Sequence, residues 1–87
     1  MGGYRVGFRA GVRKDLRRIP SADLARIMER IAGLAEDPRP PGAEKLSTAD
    51  RYRIRQGDYR IVYEIEDDVV TVWVVKVGHR RDVYRGE

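Results

Sequence analysis

The stretch RYRIRQGDYRIVYEIE, residues 51–66, decides the fold. Residues 51–56 alternate strictly. Tyr52 and Ile54 fall on one side and Arg51, Arg53 and Arg55 on the other, which is the period of a half-buried strand. Gly57-Asp58 is a two-residue hairpin signal with glycine first, suited to a type II′ turn. Residues 59–66 are then the partner strand. With two residues in the loop, Gln56 faces Tyr59, Arg55 faces Arg60, Ile54 faces Ile61 and Tyr52 faces Tyr63. Arg53, Arg55 and Arg60 thus share one side of the sheet. Ile54, Ile61, Tyr52 and Tyr63 share the other.

Downstream, Asp67-Asp68 reads as the next tight turn. Residues 69–77 are nearly all apolar, as in a central strand buried on both faces. A two-residue loop there puts Val70, Val72 and Val74 on the Ile/Tyr face. It adds Val62, Glu64, Trp73 and Val75 to the basic face and brings residue 76 near residue 59. Gly78 ends the strand, and residues 79–85 form a polar tail. Upstream, residues 38–44 hold three of the four prolines and form a loop. Before it, Leu24, Ile27, Met28, Ile31 and Leu34 make one apolar helical stripe. Ser21 is its N-cap, and it runs to about Glu36. Val12, Leu16 and Ile19 space a first helix over residues 10–18, with Arg13, Lys14 and Arg17 on its solvated face and Pro20 beyond it. Residues 4–8 alternate as an opening strand. The expected architecture is α+β: a compact single domain over residues 1–87, in β-α-α-β-β-β order. It has an antiparallel C-terminal three-stranded meander, two helices on one face and a short C-terminal polar segment.

Composition bounds the chemistry. At 87 residues there is room for one domain. Hydrophobic residues make up 41% and charged residues 37%, which suffices for one core under a charged surface. There is no cysteine, which excludes disulfides, thiolate metal sites and cysteine nucleophiles. One histidine excludes a multi-histidine metal site. No metal and no cofactor are expected. No apolar run reaches the roughly 18 residues of a membrane span, and the N-terminus lacks a signal-peptide core. A cytoplasmic location is expected. Eighteen basic residues against fourteen acidic ones give a net charge of +4. A small basic domain meets phosphates or an acidic partner; the alternative is a soluble domain rich in arginine.

The register sharpens this. Arg55 directly opposite Arg60 is destabilising by up to about 1 kcal/mol. An anion between them relieves it; splaying into water, or screening by Asp58 and Glu64, is the other solution. Pairing of the last strand brings Gly78, His79 and Arg80 to the same end, with Arg81, Tyr84 and Arg85 following. Arginines beside an aromatic ring suit single-stranded RNA. Glu64 faces Arg51 and reads as its ion-pair partner. Trp73, Tyr52, Tyr59 and Tyr63 read as packing residues.

Residues 52–84, YRIRQGDYRIVYEIEDDVVTVWVVKVGHRRDVY, resemble the RelE toxins of bacterial and archaeal toxin–antitoxin pairs, in the RelE/ParE superfamily. The likeness extends to the opening strand, Lys14-Asp15-Leu16, Asp37-Pro38 and Lys45-Leu46. The hairpin and the Gly78-His79-Arg80 ending are its specific parts. The resemblance implies an mRNA endonuclease that cuts A-site codons on the ribosome, and a cognate RelB-like antitoxin that wraps and blocks the toxin. By position it implies catalytic roles for Arg55, Arg60, Arg80 and Tyr84. It implies RNA binding by Arg53, to which the basic face and tail add Arg51, Arg81 and His79. The implied reaction is metal-independent attack of a 2′-hydroxyl on the adjacent phosphate. Where the family carries lysines, this chain has Arg53 and Arg55, and a guanidinium stays protonated at any cellular pH. Proton transfer is open between His79, Glu64, and no side chain of this protein at all. Two alternatives stand beside the nuclease: a ParE-like non-enzymatic inhibitor of DNA gyrase, and a catalytically weak RNA-binding homologue.

Overall fold

A computed structural model describes residues 3–46 and 50–83, with side chains through residue 81. The element order is β1 (Arg5–Phe8), α1 (Val12–Arg17), α2 (Ser21–Gly33), β2 (Glu44–Lys45), β3 (Arg51–Gln56), β4 (Tyr59–Glu66), a 3₁₀ turn (Asp67–Val69), β5 (Thr71–His79) and α3 (Arg80–Val83). The strands form one sheet in the order β1-β5-β4-β3-β2. The expected antiparallel meander is its centre. β1 adds to β5 in parallel, and β2 caps the far edge against β3. β2 is too short to show in the sequence, being two residues pinned opposite Arg53 and Tyr52.

The hairpin register is the one the sequence dictates: Arg51↔Glu64, Tyr52↔Tyr63, Ile54↔Ile61, Arg55↔Arg60 and Gln56↔Tyr59. Gly57 has φ 60, and of the two loop residues only it is positive, as a type II′ turn requires. Ile54, Ile61, Tyr63, Ile65, Val72, Val74 and Val77 pack beneath Val12, Ile19, Ile27, Ile31 and Leu34 of the helical layer. Burial of these side chains is the main stabilising term. Tyr63 is fully buried, stacks on Tyr52 at 5.9 Å and donates its hydroxyl hydrogen to the Pro38 carbonyl at 2.6 Å. That bond satisfies a phenol otherwise costly to bury and ties the proline loop to the sheet.

Four details depart from the sequence reading. α2 begins at Ser21 itself, with Pro20 in the cap position, and ends at Gly33, three residues before Glu36. Met28 lies at the edge of the stripe and is 38% exposed. The connection after β4 spans residues 67–70, not a two-residue turn. Val70 adopts a left-handed φ of 49 and is exposed, so it leaves the core face. Finally, β5 runs to His79, and its register with β4 slips between Val62 and Tyr63. Tyr63 pairs with Val74 but Val62 with Lys76, so Val75 is a bulge residue. Tyr59 therefore faces His79, not residue 76.

The bulge inverts the alternation of β5. Before it, Val72 and Val74 face the helices; after it, Val77 and His79 do. Lys76 and Gly78 pass to the open face, in rows with Val62 and Arg60. Asp15 of α1 supports the irregularity: its Oδ2 accepts the Val77 N–H at 3.1 Å. β1 pairs no further along β5 than Val74, so this donor has no strand partner on that side.

Candidate nucleic-acid interface

The open face of the sheet is sorted by charge. At one end Glu64 is held by Arg51, whose Nε donates at 3.1 Å, and lies 3.8 Å from Arg9. The Arg9 guanidinium lies 4.2 Å above the Trp73 ring, and the indole N–H is donated to Glu66. Trp73 is thus a half-buried residue of the open face, not of the core. Its ring sits against Gly7, where a Cβ would press into it. This end is a closed network of charge pairs.

The other end is cationic. Arg55 and Arg60 are direct cross-strand partners, and Arg60 faces Gly78 on β5. Arg60 is 7% exposed. Its Nη1 reaches only the Tyr59 carbonyl, at 3.4 Å, and its buried Nε has no hydrogen-bond partner among the described residues. In the next row, Lys76, Val62 and Arg53 line up across β5, β4 and β3. Val62 is 1% exposed and stands outside the helix-side core, in the middle of this row. Arg53 donates to Glu44 of β2 at 2.8 Å. That hydrogen bond, then the charge of Arg53, and to a lesser degree those of Arg55 and Arg60, hold the Glu44 carboxyl below its usual range. Arg80 opens α3. Its backbone N–H is donated to the Asp58 carbonyl at 2.8 Å, which fixes it beside the β3–β4 turn. Among the described residues Arg55, Arg60, Lys76 and Arg80 have no carboxylate within ion-pairing distance.

Of the sequence-derived site residues, Arg53, Arg55 and Arg60 therefore share one end of the open face, and the backbone of Arg80 is held beside that end at the β3–β4 turn. Arg51 shares the face but is committed to Glu64. His79 is turned to the opposite face by the bulge. It meets Tyr59 edge-on at 5.9 Å in a cleft of about 150 Å³ beside Asp15 and Arg18, and its Nδ1 accepts the Arg81 N–H at 3.3 Å. Arg81 is exposed on α3. Tyr84 lies outside the described residues. Lys76 is the member the sequence reading missed, because strict alternation places Val75 on this face in its stead. No group of three or more His, Asp or Glu side chains forms a metal-ligating cluster among the described residues. None of the described helices is long and apolar enough to cross a membrane.

A five-stranded sheet with two helices on one face is the fold of the solved RelE toxins. The chain belongs to that family: the profile described as ParE toxin of type II toxin-antitoxin system, parDE, matches residues 6–84. It is 36% identical over 84 residues to toxin RelG of Mycobacterium tuberculosis, covering 94% of this chain and 97% of that one. It is 29% identical over 79 residues to the mRNA interferase toxin RelE of Escherichia coli, covering 88% and 83%. Its fold superposes on the archaeal RelE–RelB complex from Pyrococcus horikoshii with a TM-score of 0.80 at 32% identity, covering 91% of this chain and 97% of that one.

Proposed function

We propose that this toxin is an mRNA endonuclease that works on the ribosome, cutting A-site codons, and that a cognate RelB-like antitoxin holds it inactive. The observation that carries the reading is Arg60. A buried arginine, 7% exposed as a residue and with its Nε unpartnered among the described residues, set directly across the strand pair from a second arginine and without a carboxylate partner, is costly unless an anion arrives. An RNA phosphate is that anion. Arg55 and Arg60 bind its non-bridging oxygens. As the 2′-oxygen attacks phosphorus, negative charge grows on those oxygens and the fixed guanidinium groups stabilise it. Arg80, anchored at the same end, closes the clamp, and Arg53 holds the neighbouring backbone. Tyr84 stacks on or orients a nucleotide, and Arg81 extends the basic surface. The reaction leaves a 2′,3′-cyclic phosphate and a 5′-hydroxyl and calls for no metal. The relatives solved with RelB support the antitoxin, and an acidic antitoxin segment complements the +4 chain.

The test is toxin added to a translating bacterial extract, with cleavage mapped by primer extension on a reporter mRNA. Arg60→Ala, Arg80→Ala and ribosome-free mRNA run alongside. Cuts at A-site codons that require ribosomes and vanish in both variants are expected. Intact mRNA with folded wild-type toxin overturns the reading. The ParE description of the matching family then makes inhibition of gyrase supercoiling the next assay.

A further inference from the structure

The clamp just described stabilises phosphate charge but moves no proton. Breaking the bond to the 5′-oxygen makes an alkoxide, a poor leaving group unless it is protonated as it departs. Arginine does not release a proton at cellular pH. The carboxylates of the open face are engaged: Glu64 by Arg51 and Arg9, Glu44 by Arg53, Glu66 by the Trp73 indole. His79 is on the other face. One described side chain of the open face remains that carries a transferable proton and has no carboxylate partner, and it is Lys76.

Its position follows from the bulge. Lys76 pairs with Val62, and Arg60 lies two residues along β4 from Val62 on the same face. Such diagonal neighbours have backbones about 7–8 Å apart, within reach of two long side chains converging on one phosphate. Arg53 completes the row on the far side of Val62. Lys76 is half-buried at the margin of the sheet, where it also borders the cleft of Asp15 and His79, and has no hydrogen bond or ion pair among the described residues. With regular alternation Val75 would occupy this face and the clamp would have no amine.

We infer that Lys76 is the general acid of the cleavage, resting on the nuclease reading above. The 2′-oxygen bonds to phosphorus and its proton passes to water. The bond from phosphorus to the 5′-oxygen breaks with its electron pair on that oxygen, which takes a proton from the Lys76 ammonium. The neutral amine then regains a proton from water. This role belongs to a lysine on β5, while the two lysine positions of the family on β3 are arginines here.

The experiment uses ribosomes programmed with two synthetic mRNAs. One is all-oxygen; the other has a single bridging 5′-sulfur at the scissile A-site linkage. A thiolate leaves without protonation. On the oxygen mRNA, Lys76→Ala and Lys76→Arg are expected to cut about 100-fold more slowly than wild type or worse, the range of general acid catalysis. On the sulfur mRNA both variants are expected to cut within a few-fold of wild type. Lys76→Arg keeps the charge on a long flexible stem, so its failure on oxygen alone isolates proton transfer from charge. Full activity of Lys76→Ala on the oxygen mRNA overturns the inference. So does an equal defect on both mRNAs, or full rescue by arginine. Absence of cleavage by the wild type overturns the nuclease reading instead, so the two failures are distinguishable.

Discussion

Arg60→Met should make the protein more stable while abolishing its activity. The magnitude follows from two features. The buried Nε has no hydrogen-bond partner among the described residues, and leaving such a group unsatisfied costs about 1–3 kcal/mol. Arg55 faces Arg60 directly, and a like-charge pair in that arrangement adds up to about 1 kcal/mol. Methionine keeps an unbranched apolar stem in place of the arginine's and removes both penalties. A gain of about 2 kcal/mol is expected, with allowance for the lost contact to the Tyr59 carbonyl. For a domain of this size each kcal/mol moves the melting midpoint by about 4–8 °C, so the shift is on the order of 10 °C. The assay is reversible thermal unfolding of both proteins, in low salt and across a phosphate titration. On the anion-clamp reading, inorganic phosphate is expected to bind the folded wild type there and stabilise it by mass action, so the difference should narrow as phosphate rises. A variant less stable than wild type at low salt, or a gap indifferent to phosphate, would refute the claim that Arg60 is held without an anion.

Three further outcomes follow from the packing. Gly7→Ala drives a Cβ into the Trp73 ring, and overpacking of this kind costs about 1–3 kcal/mol, read as a lower urea midpoint; an unchanged midpoint means the indole is not seated there. Burial pushes the Tyr63 phenol up to about 12 from its ordinary 10.0. Its contribution is therefore fully present below pH 10 and lost as pH rises from 10 towards 12, and Tyr63→Phe should flatten that alkaline limb while losing about 1 kcal/mol at neutral pH, as measured by urea unfolding at each pH. The Arg39 hydrogen bond, seconded by that of Tyr4, holds the Asp67 carboxyl below its ordinary 3.8. The stability it lends is present above that value and lost as pH falls through the lowered one, so Asp67→Asn should unfold with a shallower acid dependence than wild type, and an identical acid limb would contradict the pairing.

How far the sequence was legible depends on how local the determining interaction is. The hairpin was legible residue by residue. A two-residue loop with glycine first fixes the register, and the register places Arg55 against Arg60 and Arg51 against Glu64. The apolar stripe of α2 was legible for the same reason, since its spacing and its burial are both properties of one helix. What alternation alone does not reveal is non-local. β2 exists because Glu44 meets Arg53 across the edge of β3. The four-residue connection places Val70 in a left-handed conformation that a valine does not advertise. The placement of Trp73 over Gly7 requires knowing that β1 runs parallel beside β5.

The bulge is the most consequential of these, because it decides which chemistry the open face carries. A one-residue slip in β5 exchanges Val75 and His79 for Lys76 and Gly78 along the edge of the arginine clamp. The contact that supports it lies far away in the chain: β1 pairs no further than Val74, and Asp15 on α1 accepts the Val77 N–H that has no strand partner there. The same carboxylate sits in the Lys-Asp-Leu motif that carries part of the family resemblance. A helix whose other face is solvated thereby supports the register of β5 and so the residues that strand presents on the open face. It follows that Asp15 belongs to the architecture of the clamp although it faces away from it. Changes in α1 would then act on cleavage through the strand they pin, with the arginines themselves untouched.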